Sequence, residues 1–224
     1  MRTLVLLLVA VAASACSAIP DVDIDGATFG LTGGRFESLD LQGAAGTPSP
    51  VDGDLGLTLD ASARTRLTSG SRLSPLKAGI QGDLGLGLTK EAFFLLAVLG
   101  ARATPPRNAS SDVVEVERNS LLLSNLSVGP YASYELFDGF RLTAGLAPAL
   151  LFGSVDVQAA TGGRTTGSGW GSGLIGRVGL ELVRRNRAAY GLGFQWVEGE
   201  LDLGSAGPGD LEAWRVALTL SIGF

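Results

Sequence analysis

The sequence closes on Trp214-Arg-Val-Ala-Leu-Thr-Leu-Ser-Ile-Gly-Phe224, and the fold can be worked out from this stretch. Every even-numbered position carries a large apolar side chain, whereas the odd-numbered positions carry arginine, alanine, threonine, serine and glycine. Because successive side chains of a β-strand point to opposite faces, the stretch predicts a strand with one apolar and one polar face. At about 3.3 Å per residue and a tilt of roughly 40°, it rises about 25 Å, the height of the apolar band of a transmembrane barrel.

The same alternation recurs upstream in seven further segments. They lie at residues 55–63, 76–88, 93–101, 122–134, 142–152, 170–182 and 190–196. The segment 93–101 is the least regular, because both of its faces are apolar. The pattern of an amphipathic helix is absent, and the longest apolar run, residues 92–101, has the length of a membrane strand rather than of a membrane helix.

The predicted connections alternate between short and long. The short ones are residues 89–91, 136–139 and 184–187, and the long, polar ones are residues 104–118, 155–168 and 199–211. One connection, Thr68 to Arg72, is short where a long loop is due. Short turns at one end and long loops at the other are typical of outer-membrane barrels. We therefore predict an all-β fold, an antiparallel up-and-down transmembrane β-barrel of eight strands over residues 53–224.

Residues 1–15 have the features of a secretory signal peptide, since a basic start is followed by an apolar core and by small residues. Two processing routes stay open. Ala13-Ser-Ala15 fits ordinary signal cleavage, whereas Ala13-Ser-Ala-Cys16 resembles the lipoprotein box, which would make Cys16 a lipidated N-terminus. For residues 16–52 we expect a periplasmic segment or extra strands, and the barrel has ten strands if both halves of that segment pair.

Composition excludes several classes of protein. The 224 residues include 33 glycines, one cysteine and no histidine, and they carry a net charge of −5. Without histidine no Ser-His-Asp or Cys-His site can form, and the commonest zinc ligand is missing. The negative charge argues against binding to nucleic acid, which needs a basic surface. We expect neither a metal ion nor a cofactor.

Two short motifs carry little weight. Gly171-Ser-Gly-Leu-Ile-Gly176 matches a dinucleotide-binding pattern, but it lies inside an alternating strand with no helix after it. Asp21-Val-Asp-Ile-Asp-Gly26 matches the start of a calcium loop, whose twelfth residue would be glutamate, and this sequence has Thr32 there.

The polar face of the predicted strands consists of glycine, serine, threonine and alanine with isolated charges. Such a face suits a narrow lumen better than a water-facing surface, which is richer in lysine and glutamate. An unpaired buried charge costs several kcal/mol, so we expect these acids and bases to pair across the lumen. The candidate lumen charges are Asp60, Arg64, Lys77, Asp83, Arg102, Glu135, Arg141, Arg177, Glu181 and Arg215.

Aromatic residues bracket the predicted apolar face at both ends of the strands. Two such rings are the interfacial girdles of a barrel in a membrane. At the long-loop ends they are Trp170, Trp196 and Trp214, and at the short-turn ends they are Phe93, Tyr134, Phe140, Tyr190 and Phe224.

The ending from Trp214 to Phe224 resembles the C-terminal signal of bacterial outer-membrane proteins. In that group the alternating apolar residues and the terminal aromatic residue are read by the barrel-assembly machinery, which the resemblance implies as a partner beside the membrane lipid. Residues 54–224 resemble the small eight-stranded barrels of the OmpA-transmembrane, OmpX and opacity-protein type. The resemblance implies a location in the bacterial outer membrane, in an architecture that hosts adhesins, anchors, enzymes and narrow pores.

Three families of outer-membrane enzymes are similar in size: the omptin-type proteases, the lipid A palmitoyltransferase and the lipid A deacylase. Each relies on a histidine, which this chain lacks, so we expect no enzyme. We predict a structural or adhesin-like role through three long extracellular loops. The alternative is a narrow porin-like channel for small solutes through the charged, glycine-rich lumen.

Overall fold

The computed structural model describes residues 22–41, 51–67, 76–88, 119–158, 164–184 and 188–223. Their strands are β1 (Val22–Leu41), β2 (Val51–Leu67), β3 (Leu76–Gly87), β4 (Ser120–Phe137), β5 (Phe140–Gln158), β6 (Arg164–Val183), β7 (Ala188–Asp202) and β8 (Pro208–Gly223). Each strand pairs antiparallel with the next, and β8 pairs with β1, which closes the ring. The prediction of an eight-stranded, antiparallel, all-β barrel is confirmed. Within the described ranges, no helix is long and apolar enough to cross a membrane.

The first strand of the ring differs from the one that the sequence indicated. β1 occupies residues 22–41 and pairs with both β2 and β8, so the described barrel reaches eight strands rather than ten. β3 pairs directly with β4, from Leu76 opposite Tyr134 to Gly85 opposite Asn125. The predicted strand at residues 93–101 lies outside the described residues.

Irregular pairing explains why β1 was missed. Its pairing with β2 shifts register three times, which breaks the two-residue period on which the prediction depended. Gly34 lies at one of these shifts, and a Cβ atom there would collide with the backbone carbonyl of Trp214 on β8. Only glycine permits so close an approach of β1 and β8 at this point.

The corrected strand order reassigns the connections to the two ends of the barrel. At the inner end, where β1 begins and β8 ends, the connections are residues 68–75, 138–139 and 184–187. At the outer end they are residues 42–50, 88–119, 159–163 and 203–207. The connection after Thr68 therefore lies among the other short ones and is no exception. The predicted tight turn at residues 89–91 falls on the outer end and outside the described residues.

Two of the three predicted long loops, residues 155–168 and 199–211, are wrong, because most of their residues belong to strands. β5 continues to Gln158 and β6 begins at Arg164, and β7 continues to Asp202. A single turn of 3-10 helix, Gly204–Ala206, joins β7 to β8. The third predicted loop, residues 104–118, lies outside the described residues.

The strands were cut short in the prediction because their polarity inverts along their length. On β8, Val216 and Leu218 face outward and are exposed, while Arg215 faces inward and is buried. Beyond Trp214 the pattern reverses, so that Glu212 is exposed and Leu211 is buried. We call the part of the barrel beyond this inversion, toward the outer end, the outer segment.

The interior of the outer segment is an apolar core. Eighteen buried residues of the described chain form one cluster there, to which all strands except β3 contribute. Phe36, Leu121, Leu151, Val197 and Leu203 are completely buried within it. We call this cluster the outer core, and it fills the barrel from wall to wall.

The barrel also narrows toward the outer end. β3 stops at Gly87, and beyond it β2 and β4 meet in a short parallel pairing at Asp54 and Leu55. The Asp54 N–H donates to the Asn119 carbonyl at 3.1 Å, and a Cβ atom on Gly53 would collide with that same carbonyl. The described ring therefore has eight strands near the inner end and seven around the outer core.

Candidate functional site

The interior of the barrel on the inner side of the outer core is polar, and charged side chains cross it. Arg177 on β6 pairs with Asp83 on β3 at 2.5 Å, and its second terminal nitrogen donates to Ser127 Oγ at 3.1 Å. Gln81 Nε2 donates to the other oxygen of Asp83 at 2.7 Å. Because Arg177 lies on β6 and its partners Asp83 and Ser127 lie on β3 and β4, the contacts of Arg177 connect strands that are not neighbours in the ring.

A second cluster lies closer to the inner end and shares Gln81 with the first. Arg64 pairs with Glu181 at 2.5 Å, and its Nε donates to Gln81 Oε1 at 3.1 Å. The Arg64 guanidinium also lies over the ring of Tyr131, 4.9 Å from the centroid, which adds a cation–π contact. Arg141 approaches the second oxygen of Glu181 at 3.8 Å.

Arg215 and Asp60 lie between these clusters and the outer core. Arg215 is 1 % exposed and donates only long hydrogen bonds, at 3.3 and 3.4 Å, to Asn125 Oδ1. Asp60 is the acid whose charge acts most strongly on Arg215, although no ion pair within 4.0 Å joins them in the described structure. Arg215 Nε and Asp60 Oδ2 are both buried without a protein hydrogen-bond partner. Such groups need a polar neighbour, because burying them bare costs several kcal/mol.

A cavity of about 70 Å³ adjoins these charges. Asp60, Arg64, Asp83, Arg177 and Glu181 line it, together with glycines and threonines of the surrounding wall. A cavity of this volume has room for several water molecules, each of which needs two to four polar partners. The lining supplies such partners, so the inner half of the lumen suits water rather than an organic ligand.

The structure places the predicted lumen charges in three groups. Six of them lie inside the barrel, either in the two clusters or between the clusters and the outer core: Asp60, Arg64, Asp83, Arg177, Glu181 and Arg215. Lys77 and Arg141 are half-buried toward the inner end, and Glu135 is exposed at the inner rim. Arg102 lies outside the described residues. Sequence reasoning missed Gln81, Asn125 and Tyr131, whose polar or aromatic side chains connect the charges.

The outer surface of the barrel carries the predicted aromatic residues at both ends of an apolar belt. Trp170 is exposed and packs on Phe152, with ring centroids 4.9 Å apart, and Trp214 stacks with Phe194 at 6.2 Å. Trp196 covers Gly176, where a Cβ atom would collide with the indole ring. Of the other predicted girdle residues, Tyr134, Phe140 and Tyr190 are exposed on the inner side, whereas Phe93 and Phe224 lie outside the described residues.

The belt between these aromatic residues has no polar cover. Twenty-seven large apolar side chains of the described chain are exposed, on all eight strands. A monomer in water rarely exposes a contiguous apolar patch above a few hundred Å², so lipid must cover this belt. The chain is a transmembrane β-barrel of the outer-membrane type.

Beyond the belt, the outer segment presents an acidic wall to water. Among the described residues, its outward-facing charges are two arginines and ten acids: Arg35, Arg164, Glu37, Asp40, Asp52, Asp54, Asp156, Glu198, Glu200, Asp202, Asp210 and Glu212. Arg164 donates two hydrogen bonds, of 2.6 and 2.7 Å, to the carboxyl group of Asp156. Because the ionised carboxylate accepts these hydrogen bonds better than the protonated acid does, they lower the pKa of Asp156. Arg35 contacts Asp52 at 3.3 Å.

No family model matches the chain, and no curated protein matches it in sequence. Among solved structures, Neisserial surface protein A is 10% identical, with 91% of this chain and 99% of that chain covered at a TM-score of 0.46. Ail, the attachment invasion locus protein of Yersinia pestis, is 9% identical, with 89% and 100% covered at 0.41. The outer membrane protease OmpT from Escherichia coli is 9% identical, with 91% and 95% covered at 0.39.

Proposed function

We propose that this chain is a non-enzymatic outer-membrane barrel that anchors a rigid surface-interaction platform outside the membrane. The observation that carries the proposal is the inversion of polarity along the strands. In the membrane the barrel is apolar outside and polar inside, and in the outer segment it is polar outside and apolar inside. An apolar core under a charged surface is the arrangement of a protein domain in water.

The outer core argues against the alternative of a narrow channel. A solute that crossed the barrel would have to pass Leu121, Leu151 and Val197, all of which are completely buried. Eight-stranded interiors are just wide enough for side chains to fill, and here the ring narrows to seven strands at this level. The 70 Å³ cavity on the inner side is then a blind pocket.

The interior charges also support a structural rather than a catalytic role. Asp83, Arg177, Arg64 and Glu181 are engaged in short ion pairs with one another. The chain has no histidine that could act as a general base near neutral pH. Charges held in this way brace the barrel wall.

Conductance across a planar lipid bilayer separates the two functions. At high protein loading we expect no conductance steps from the wild-type barrel, because the outer core blocks the path. A variant with Leu121→Gly, Leu151→Gly and Val197→Gly, which removes all three of these side chains, should conduct, and this conductance shows that barrels are present in the bilayer. Steps in the wild-type protein that disappear in Arg177→Gln would contradict the proposal and establish a channel.

Surface display is tested on intact cells. An epitope inserted at Ser205, in the exposed turn of the outer segment, should bind antibody without permeabilisation. The same epitope placed in the inner connection after Asp138 should require permeabilisation. Cells that express the chain should also attach to protein-coated surfaces more than cells without it, and equal attachment would count against the interaction role.

A further inference from the structure

A second cavity, of about 150 Å³, lies at the inner rim of the barrel. Glu135, Asp138, Arg141 and Arg184 bring two acids and two bases to it, and Phe140 forms an apolar wall. This rim cavity is distinct from the 70 Å³ cavity, although Arg141 also approaches Glu181 of the second lumen cluster, and nothing in the proposed surface role makes use of it. It is smaller than the pockets that enclose drug-sized molecules, which begin at about 300 Å³, so it suits a single polar group.

Backbone hydrogen bonds hold the rim cavity in shape. Asp138 and Gly139 form the two-residue turn between β4 and β5, and Gly139 has a φ of 82°, which this tight turn needs. The Val183 N–H donates to the Gly139 carbonyl at 2.7 Å, so the turn is bonded to the end of β6. The Arg184 N–H donates to the Ala188 carbonyl at 2.7 Å. The four charged side chains therefore stand on fixed backbone.

The charged side chains of the rim cavity have hydrogen-bond donors and acceptors that are available to a ligand. Arg141 reaches Glu181 only at 3.8 Å, beyond hydrogen-bond distance, so its guanidinium donors remain available. Arg184 lies over the Tyr190 ring, 5.7 Å from the centroid, in a contact that uses none of its N–H groups. No ion pair within the described ranges involves Glu135 or Asp138. Two guanidinium groups and two carboxylates thus line one small space, and no ion pair within the described ranges joins them to one another.

The cavity lies at the level of the membrane interface. Phe140 is 38 % exposed and packs on Phe137, which is 61 % exposed, with ring centroids 4.5 Å apart. Tyr190 beside Arg184 is 54 % exposed on the same outer wall. Exposed aromatic rings at the edge of an apolar belt lie at the depth of the lipid headgroups. The cavity is therefore within reach of a phospholipid of the inner, periplasmic leaflet.

We propose that the rim cavity binds the headgroup of a zwitterionic phospholipid from the periplasmic leaflet. Arg184 and Arg141 would hold the phosphate through charge-assisted hydrogen bonds, and Glu135 and Asp138 would hold the ammonium group. The acyl chains would lie along Phe140 and the belt. An anionic headgroup would leave the two carboxylates unpaired, and a free amine would leave the two guanidinium groups unpaired, so the zwitterion matches the charges best.

The test compares lipids on the barrel reconstituted in nanodiscs, with bound lipid counted by native mass spectrometry after transfer to detergent. Phosphatidylethanolamine should be retained at least about tenfold more than phosphatidylglycerol, the ratio expected from one charge-assisted hydrogen bond. Arg184→Gln should weaken retention of both lipids. Asp138→Asn should weaken retention of phosphatidylethanolamine alone, because only that lipid carries the ammonium group.

Matched variants at the outer end serve as controls. Arg164→Gln and Asp202→Asn remove the same exposed groups far from the cavity, and lipid retention should be unchanged in both. Equal retention of the two lipids, or no effect of Asp138→Asn, would overturn the zwitterionic site. Soluble phosphoethanolamine that competes at the same concentration as the lipid would overturn a membrane lipid as the ligand. None of these readouts depends on conductance or cell attachment, so this proposal and the surface role can fail separately.

Discussion

Arg215 is the residue at which the polar and apolar halves of the interior meet. Its guanidinium is completely enclosed and donates hydrogen bonds to Asn125. Asp60 is the acid whose charge acts most strongly on it. Removing one member of a buried charge pair is more damaging than removing both, because the remaining charge is left without compensation.

We therefore expect Arg215→Met to lower the free energy of unfolding by about 3 kcal/mol, the order of the cost of leaving a buried charge without its compensating charge. The double variant Asp60→Asn with Arg215→Met should regain a large part of that loss. Urea unfolding of the barrel in detergent micelles, followed by tryptophan fluorescence, measures both. A double variant that is less stable than Arg215→Met alone would show that the two charges are not coupled.

Gly176, on the outer surface of the barrel, leaves room for the indole ring of Trp196 to lie against its strand. Gly176→Ala should push Trp196 off the strand, at a cost of about 1–3 kcal/mol from overpacking, and shift the tryptophan emission. Gly82→Ala on β3 is the matched control, since its added Cβ would make an ordinary contact with Val128 at 3.8 Å. Similar losses in both variants would mean that Trp196 has no special need for Gly176.

At the scale of the strand, the sequence was sufficient to predict a strand wherever apolar residues stay at every second position on the same face. The belt portions of β4 to β8 were predicted from it. The outer portions were not, because the apolar positions change from even to odd between Trp196 and Val197 on β7 and between Ala213 and Trp214 on β8. A change of phase looks the same in the sequence as the end of a strand, so residues 199–211 were predicted to be a loop.

Cross-lumen partners could not be predicted for a different reason. The alternation identifies which charges face inward, and it did so for Asp83, Arg177 and Glu181. Which of them meet depends on the stagger between strands that are distant in sequence, and that stagger is set by the closed ring. The pairing of Arg177 with Asp83, 94 positions away, is therefore a property of the assembled barrel.

The Asp156–Arg164 pair connects the outer ends of β5 and β6 and makes their stability depend on pH. Because the folded pKa of Asp156 lies below its ordinary value of 3.8, the stabilisation is fully present above that value and is lost as the pH falls through the folded pKa. The effect is small, since both side chains are more than a third exposed. Hydrogen exchange of residues 154–158 should accelerate in Asp156→Asn near neutral pH and match the wild type in strong acid. If the difference in exchange rate between the wild type and Asp156→Asn is the same at neutral pH and in strong acid, the ionisation of Asp156 does not control the stability of these strand ends.

At the scale of the whole molecule, the belt and the outer core are two apolar surfaces with different roles. The belt faces lipid and is needed for insertion, whereas the outer core faces inward and is needed for folding outside the membrane. Chemically identical substitutions in the two should therefore fail in different ways.

Leu218→Asp places a carboxylate in the belt and should reduce insertion, because an acidic side chain that faces lipid near the midplane costs up to about 2 kcal/mol. Leu201→Asp places the same group in the outer core and should leave insertion intact but expose the outer segment to protease. Outer-membrane fractionation and protease treatment of intact cells distinguish the two. Failure of both variants to insert would show that the outer core forms before or together with the membrane part.

The inversion of polarity also fixes how deeply the barrel is immersed. If the molecule moved toward the periplasm by two residues per strand, Glu212 and Glu198 would enter hydrocarbon, and if it moved outward, Val216 and Phe194 would approach water. Either displacement is opposed on several strands at once. In a bilayer that is too thin or too thick, the lipid must therefore stretch or compress to meet the protein, whose immersion depth is encoded in its own strands.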